Sequence, residues 1–228
     1  MSSIPRFKIA LLFLIAIAPA EFNWLYNPRL ASKPALFWTV DCLRFLVIPS
    51  LILIYGLRKR LFSTQSLGLH NRIAGHDWPP VFVLTLVLVP CVQYALDRPF
   101  LTWSYDHFPL VSTHQKFSYN QMIPPPGPQT GGRRLLAIFY LAASAGFVEE
   151  FYFRGLFRRL FNNTPIQAGL FVLLSSLAFA SVHLYGGPPH AIYAFLHGLL
   201  AATIYLATGN LWPVIVGHMI VDLSWFMS

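Results

Sequence analysis

Two adjacent acids and a nearby base stand inside an apolar, aromatic segment of this sequence. The stretch GFVEEFYFRGLFRRL, residues 146–160, contains Glu149, Glu150 and Arg154. In a segment that crosses a membrane, each ionisable group costs about 2.5–3.5 kcal/mol on insertion scales, so it raises a functional hypothesis. The alternative is a purely structural network of salt bridges.

Helical spacing gives the two acids different surroundings. Glu150 and Arg154 are four residues apart with the acid first, so they are predicted to form an ion pair on one helix face. Glu149 points about 100° away from Glu150, which is the rotation per residue of an α-helix. We therefore expect one acid to be neutralised locally and the other to remain available as a general base.

Two further motifs carry histidines. The motif FASVH ends at His183, and the motif HMIVD places His218 and Asp222 four residues apart on one helix face. The turn at FNNTP, residues 161–165, brings Glu149 and His183 to depths that differ by less than about 10 Å, at 1.5 Å per helical residue. The three motifs are therefore predicted to meet at a cavity in the cytoplasmic half of a helix bundle.

This set of side chains suits hydrolysis by an activated water. A carboxylate and an imidazole aimed at one water form a general-base pair, and a further histidine can donate a hydrogen bond to the developing oxyanion. The GxSxG pattern of a nucleophilic serine is absent. Zinc held by His183, His218 and a glutamate is the alternative, but HExxH is absent and these ligands would come from three helices. We therefore expect no metal cofactor.

Composition indicates which elements must hold these groups. Of the 228 residues, 56% are hydrophobic and 11% are charged, and the mean hydropathy is +0.56. Long apolar runs in such a chain are typical of a multi-pass membrane protein, so we predict an all-α bundle of about seven transmembrane helices. The net charge of +8 does not indicate nucleic-acid binding, because the basic residues form short clusters between the apolar runs.

Proline and glycine mark several ends of the predicted spans. Thr164-Pro165 and Pro188-Pro189 are typical helix starts, and Gly209 suits a helix end. The segment 98–132 is rich in proline and glycine and is predicted to be a long exposed loop. The predicted spans are residues 7–25, 35–57, 79–97, 133–161, 165–184, 189–207 and 211–227.

The chain is predicted to form two parts of one integral bundle. Residues 1–132 hold the N-terminal spans and the long outer loop, and residues 133–228 hold the catalytic core. The distribution of lysine and arginine favours a cytoplasmic N-terminus. The stretch RFKIALLFLIAIAPAEF could pass for a signal peptide, but a retained first helix is favoured because every later span also needs a membrane.

The three motifs together resemble a known protease family. EEFYFR fits the pattern EExxxR, FASVH fits FxxxH, and HMIVD fits a histidine followed four residues later by Asn or Asp. In this order and spacing they look like the CAAX prenyl endopeptidase and bacteriocin-processing family, also called Abi proteins or glutamic-type intramembrane proteases. The resemblance spans about residues 133–227, and residues 1–132 match only in being hydrophobic.

The resemblance implies roles for the residues of the first two motifs. It implies that Glu149 is the general base and that His183 is its partner on the catalytic water. It also implies that Glu150 and Arg154 shape the site or hold substrate. This division agrees with the different surroundings that helical spacing predicts for the two acids.

The third motif departs from the family in one residue. The resemblance implies that His218 and Asp222 form the oxyanion-stabilising pair, but prenyl-protein proteases have an Asn at the second position. An ionised Asp cannot donate a hydrogen bond, so Asp222 would have to be protonated or instead orient His218. His190 and His197 share a helix face outside the family motifs and are predicted to line the cavity or to be structural.

The leading functional hypothesis is an intramembrane endopeptidase that acts on a membrane-associated protein or peptide. Its expected partners are that substrate and the lipid bilayer, and its expected location is the bacterial inner membrane. An ion- or proton-coupled transporter is the alternative from another class, because acids and histidines inside helices also build relays. A non-catalytic immunity or scaffold protein that keeps the motifs for structure is a third hypothesis.

Overall fold

The computed structural model of the chain is helical apart from one very short hairpin within the residues that it describes. These are residues 6–21, 33–70, 72–73, 76–77, 87, 91, 95, 99, 131–184 and 187–227. The helices are α1 (Arg6–Glu21), α2 (Pro34–Cys42, continuing through Leu43–Val47 and Ile48–Arg58), α3 (Gly132–Glu150, continuing through Phe151–Leu156), α4 (Pro165–Ser181), α5 (Pro188–Thr208) and α6 (Trp212–Met227). A short 3₁₀ turn, Gln65–Leu67, follows α2. The strands β1 (Arg72–Ile73) and β2 (His76–Asp77) pair antiparallel, which the sequence pattern does not predict.

Length and hydropathy make this an integral membrane bundle. The segments Ala35–Arg58, Arg134–Leu156 and His190–Thr208 are each long and apolar enough to cross a membrane. Helices α4 and α6 are shorter and also apolar. The prediction of an all-α polytopic bundle is confirmed. The count of seven spans stays a prediction, since span 79–97 and loop 98–132 fall almost wholly outside the described residues.

The predicted helix ends are found at the punctuating residues. Thr164 caps α4, because its hydroxyl oxygen accepts a hydrogen bond from the backbone N–H of Gln167 at 3.3 Å. Pro188 stands in the first turn of α5. Gly209 ends that helix in the left-handed conformation at φ 64°, where a residue without a Cβ is favoured.

Two glycines allow the helix contacts that assemble the C-terminal helices. A Cβ atom at Gly146 of α3 would lie 3.1 Å from the carbonyl oxygen of Ile215 in α6. A Cβ atom at Gly198 of α5 would lie 2.9 Å from the Cα atom of Ser176 in α4. The second distance is shorter than Cβ atoms tolerate, and the first would require α6 to give by a few tenths of an ångström, so these glycines allow the close approach of α3 to α6 and of α5 to α4.

Helix α3 widens to a π-helix directly after the paired acids. The π-helical stretch is Phe151–Leu156, and a second one, Leu43–Val47, interrupts α2. The buried hydroxyl of Ser175 in α4 donates to the carbonyl oxygen of Phe153 at 2.7 Å. A neighbouring helix therefore hydrogen-bonds to the backbone of the widened turn, and such π-helical turns occur often at functional sites.

The N-terminal helices pack against the same core. The ring of Phe13 in α1 lies 5.8 Å from that of Phe153 and 4.5 Å from that of Phe157. After α2, the carbonyl oxygen of Gly68 accepts a hydrogen bond at 2.8 Å from the backbone N–H of Leu211, between α5 and α6. The segments before and after residues 98–132 thus share contacts around the C-terminal end of α3.

Candidate active site

The predicted ion pair between Glu150 and Arg154 is present and completely buried. Nη1 of Arg154 lies 3.1 Å from Oε1 of Glu150, and neither side chain has any exposed surface. Nη2 of Arg154 donates to the carbonyl oxygen of Gly198 in α5 at 3.4 Å. The guanidinium also lies 4.7 Å from the ring centroid of Phe179, which is a cation–π distance. Arg154 therefore connects α3 to α4 and α5 at one point.

His218 joins this ion pair from α6. Its Nδ1 atom lies 2.9 Å from Oε1 of Glu150, which is a hydrogen bond from the imidazole N–H to the carboxylate. Its Nε2 atom lies 3.7 Å from Oε2 of Glu149 and 3.8 Å from Oδ2 of Asp222. One imidazole thus faces all three acids, with Glu150 on one ring nitrogen and the other two on the opposite nitrogen.

The neighbouring acids differ in exposure as helical spacing predicts. The side chain of Glu150 is 0% exposed, whereas that of Glu149 is 19% exposed and that of Asp222 is 22% exposed. Glu150 is the acid neutralised by Arg154. Glu149 and Asp222 lie on the partly exposed side of His218.

His183 is linked to the other residues through the ring of Phe179. The Nδ1 atom of His183 lies 2.7 Å from the carbonyl oxygen of Phe179, so Nδ1 donates and the neutral ring carries its lone pair on Nε2. The ring of Phe179 lies 4.5 Å from that of His183, 5.5 Å from that of His197 and 5.9 Å from that of His218. The motif FxxxH thus supplies both a histidine and the ring that three histidines contact, a role of Phe179 that sequence reasoning missed.

His197 is closer to the acids than the sequence indicates. Its side chain is buried, its Nε2 atom lies 3.9 Å from Oε1 of Glu150, and its ring centroid lies 4.7 Å from that of His218. The interpretation of His197 as lining or structural did not predict this contact with Glu150. His190 lies further along the cluster, with its ring 5.2 Å from that of His183. In the sequence, the spacing of seven residues that puts His190 and His197 on one helix face was the signal that could have indicated their place near the acids.

In the described part of the chain, the residues close enough together to hold a metal differ from the set that the sequence suggests. Among the described residues, Glu150, His197 and His218 offer ligand atoms within 4.8 Å of one another. The zinc alternative read from the sequence used His183 instead of His197. Arg154 already forms an ion pair with the carboxylate of Glu150. A divalent cation there would face a buried guanidinium, which opposes its binding.

Comparison with known proteins gives the family of the region that holds this site. Residues 131–224 match the family described as type II CAAX prenyl endopeptidase Rce1-like. The match confirms the family that the three motifs resemble, and it includes every residue placed in the site above. No curated protein and no solved structure matches the chain. Over these residues the chain is similar to a family of membrane proteases, which are hydrolases that act on proteins or peptides at the membrane.

Proposed function

We propose that this protein is a glutamic-type intramembrane endopeptidase that cleaves a peptide bond of a membrane-associated protein or precursor. The observation that carries the proposal is the environment of Glu149. This carboxylate is outside the buried Glu150–Arg154 pair, is partly accessible, and lies 3.7 Å from Nε2 of His218. An acid that does not pair with Arg154 and that adjoins an imidazole suits general-base catalysis.

In the proposed reaction, Glu149 takes a proton from a water molecule while His183 helps to orient that water. The water oxygen attacks the carbonyl carbon of the scissile peptide bond, and the carbonyl oxygen becomes an oxyanion. When the carbon–nitrogen bond breaks, the proton held by Glu149 passes to the leaving amine. Water is thus divided between the new carboxylate and the new amine, and no covalent enzyme intermediate is formed.

His218 is proposed to stabilise the oxyanion through Nε2. Its Nδ1–H is engaged with Glu150 at 2.9 Å, so a donor for the oxyanion requires a second proton on Nε2. Asp222, 3.8 Å from Nε2, favours that doubly protonated ring. In this chain Asp222 is therefore proposed to orient and charge His218, and no donor hydrogen on Asp222 is needed.

Glu150 and Arg154 are proposed to hold the other side chains of the site in place without contacting the substrate. Their complete burial keeps them away from a substrate, and their contacts reach three other helices through His218, Phe179 and Gly198. No metal takes part in this reaction. The N-terminus is proposed to be cytoplasmic, in a bacterial inner membrane, with the long loop outside.

The test is cleavage by purified protein reconstituted in lipid vesicles. The probes are an internally quenched farnesylated peptide ending in a C-a-a-X sequence and the same peptide without the farnesyl group. Glu149→Gln and His183→Ala should each abolish cleavage while the protein remains inserted and folded. The matched controls are Glu21→Gln and His70→Ala, because both residues lie outside the site and Gln keeps the oxygen that accepts from Ser181.

The two probes and a flux assay separate the competing functions. Cleavage of both peptides would indicate that the prenyl group is not required, whereas cleavage of the farnesylated probe alone would identify a prenyl-dependent enzyme. Full activity of Glu149→Gln would disprove the mechanism. Substrate-dependent ion flux across the vesicles without any cleavage would instead identify a transporter.

A further inference from the structure

His197 contacts several buried residues of the site, although it lies outside the three family motifs. Its side chain is 5% exposed. Its ring stacks on Phe179 at 5.5 Å with an interplanar angle of 24°, and it meets the ring of His218 at 4.7 Å and 60°. Its Nε2 atom lies within ion-pairing range of Glu150, at 3.9 Å. The ring is thus held by both aromatic and polar contacts.

The backbone next to His197 is anchored to the same residues. Gly198 follows it, and the absence of a Cβ there lets α5 lie against Ser176 of α4. The carbonyl oxygen of Gly198 accepts the hydrogen bond from Arg154 at 3.4 Å. The close contact with α4 and the hydrogen bond from Arg154 therefore fix how α5 is placed at His197, and with it the position of the His197 ring.

Three nitrogen-bearing side chains converge on one oxygen atom. Oε1 of Glu150 lies 3.1 Å from Arg154, 2.9 Å from His218 and 3.9 Å from His197. These contacts come from α3, α6 and α5. Because the imidazole of His218 is rigid, the direction of its Nδ1 contact with Glu150 also sets the direction of its Nε2 atom.

We propose that His197 is a positioning residue of the hydrolytic site, which holds Glu150 and the ring of His218 so that Nε2 of His218 faces Glu149 and Asp222. This inference rests on the proposed function for its catalytic consequence. His197 acts through Glu150 and His218, and it does not touch the substrate. A small rotation of the His218 ring would move Nε2 away from the oxyanion, and misplacement by about 1 Å can cost about 10²-fold in rate.

The variants His197→Phe and His197→Gln separate positioning from simple packing. Phenylalanine keeps the ring and its stacking on Phe179 but removes both ring nitrogens. Glutamine loses the ring, but its side-chain NH₂ reaches about as far as Nε2 and can donate to Glu150. A packing residue would tolerate phenylalanine better, whereas a positioning residue would tolerate glutamine better.

The first readout is steady-state cleavage of the farnesylated C-a-a-X probe in vesicles. We expect His197→Phe to lower kcat by about 10–100-fold with little change in KM, as do residues that orient a reacting group. We expect His197→Gln to retain most of the wild-type kcat. The wild type and Glu149→Gln are measured alongside, so that failure of the proposed function is seen as an inactive wild type or an active Glu149→Gln.

The second readout does not depend on activity. Protein labelled with ¹⁵N-histidine in lipid nanodiscs reports the ring nitrogens of His218 by NMR, with His218→Gln used to assign them. We expect both His218 nitrogen signals to shift in His197→Phe and to stay near their wild-type positions in His197→Gln. Unchanged His218 signals in His197→Phe, or a reversed order of activity in the two variants, would overturn the proposal.

Metal content gives a further decisive outcome, because Glu150, His197 and His218 are also the residues that could hold an ion. We expect purified wild type to contain no stoichiometric zinc. Zinc bound at one equivalent in the wild type and lost in His197→Phe would make His197 a ligand and would overturn its assignment as a positioning residue.

Discussion

The Nδ1 atom of His218 lies 2.9 Å from the Oε1 atom of Glu150, although 68 residues separate them in the chain. This hydrogen bond joins α6 to α3 at the depth of the Glu150–Arg154 pair. It also directs the other ring nitrogen of His218 toward Glu149 and Asp222. The buried ion pair and the accessible acids are therefore connected through a single imidazole ring.

Removal of Arg154 should destabilise the fold severely. Arg154→Met leaves the carboxylate of Glu150 buried without its main partner, and breaking a buried pair in this way costs about 3–5 kcal/mol. The free energy of unfolding is measured by denaturant titration in detergent micelles. The double variant Glu150→Gln/Arg154→Met removes both charges and should be more stable than Arg154→Met alone. Equal stability of Arg154→Met and wild type would contradict the importance of this pair.

Substitution of Gly146 should reduce activity by changing the distance between two helices. A methyl group in Gly146→Ala meets the backbone of α6 at 3.1 Å, so α6 must shift and carry His218 with it. The shift is smaller than the displacement of about 1 Å that can cost about 10²-fold in rate, so we expect kcat on the farnesylated probe to fall by about 3–10-fold. The matched control is Gly169→Ala in α4, where nothing lies within 4 Å of an added Cβ. The control should be as active as wild type, and a similar loss in both variants would refute the explanation.

Substitutions of Asp222 should distinguish the size of this side chain from its charge. Asp222→Asn keeps the shape and a side-chain oxygen that can accept from Nε2 of His218 but removes the negative charge, so we expect a partial loss of activity, smaller than that of a non-polar residue. Asp222→Leu removes every polar contact with Nε2 of His218 and should lower kcat by about 10–100-fold, as loss of an orienting residue does. Cleavage rates and thermal midpoints are compared for the two variants. An Asp222→Leu enzyme as active as wild type would show that His218 needs no partner there.

Metal chelators should leave the activity unchanged. The guanidinium of Arg154 already pairs with the carboxylate of Glu150 and would repel a cation there, so we expect catalysis without an ion. Cleavage is measured after prolonged treatment with 1,10-phenanthroline and EDTA, with a known zinc protease as the positive control. Loss of activity that returns on addition of zinc would replace the proposed mechanism with a metal-dependent one.

The contacts within single helices were the part of the site that the sequence could predict. The spacing of four residues from Glu150 to Arg154 predicted their ion pair, because residues so spaced are neighbours on a helix surface. The same spacing puts His218 within 3.8 Å of Asp222. Thr164 and Gly209 likewise predicted helix ends, since capping depends on local backbone geometry.

Contacts between helices were harder to predict from the sequence. Whether His197 reaches Glu150 depends on how closely α5 packs on α4, which the structure sets at Gly198. The π-helical turn after Glu150 also involves tertiary structure, because a hydroxyl from α4 hydrogen-bonds to the carbonyl oxygen of Phe153. Neither the contact of His197 with Glu150 nor the π-helical turn can be predicted from the periodicity of apolar residues.

The acids around His218 fall into two groups of different exposure. The side chains of Glu150 and Arg154 have no exposed surface, whereas those of Glu149 and Asp222 are 19% and 22% exposed. Two consecutive carboxylates with the same intrinsic chemistry therefore have different surroundings. The buried one anchors three helices to one another, and the partly exposed one is left for the proton transfer of the proposed hydrolysis.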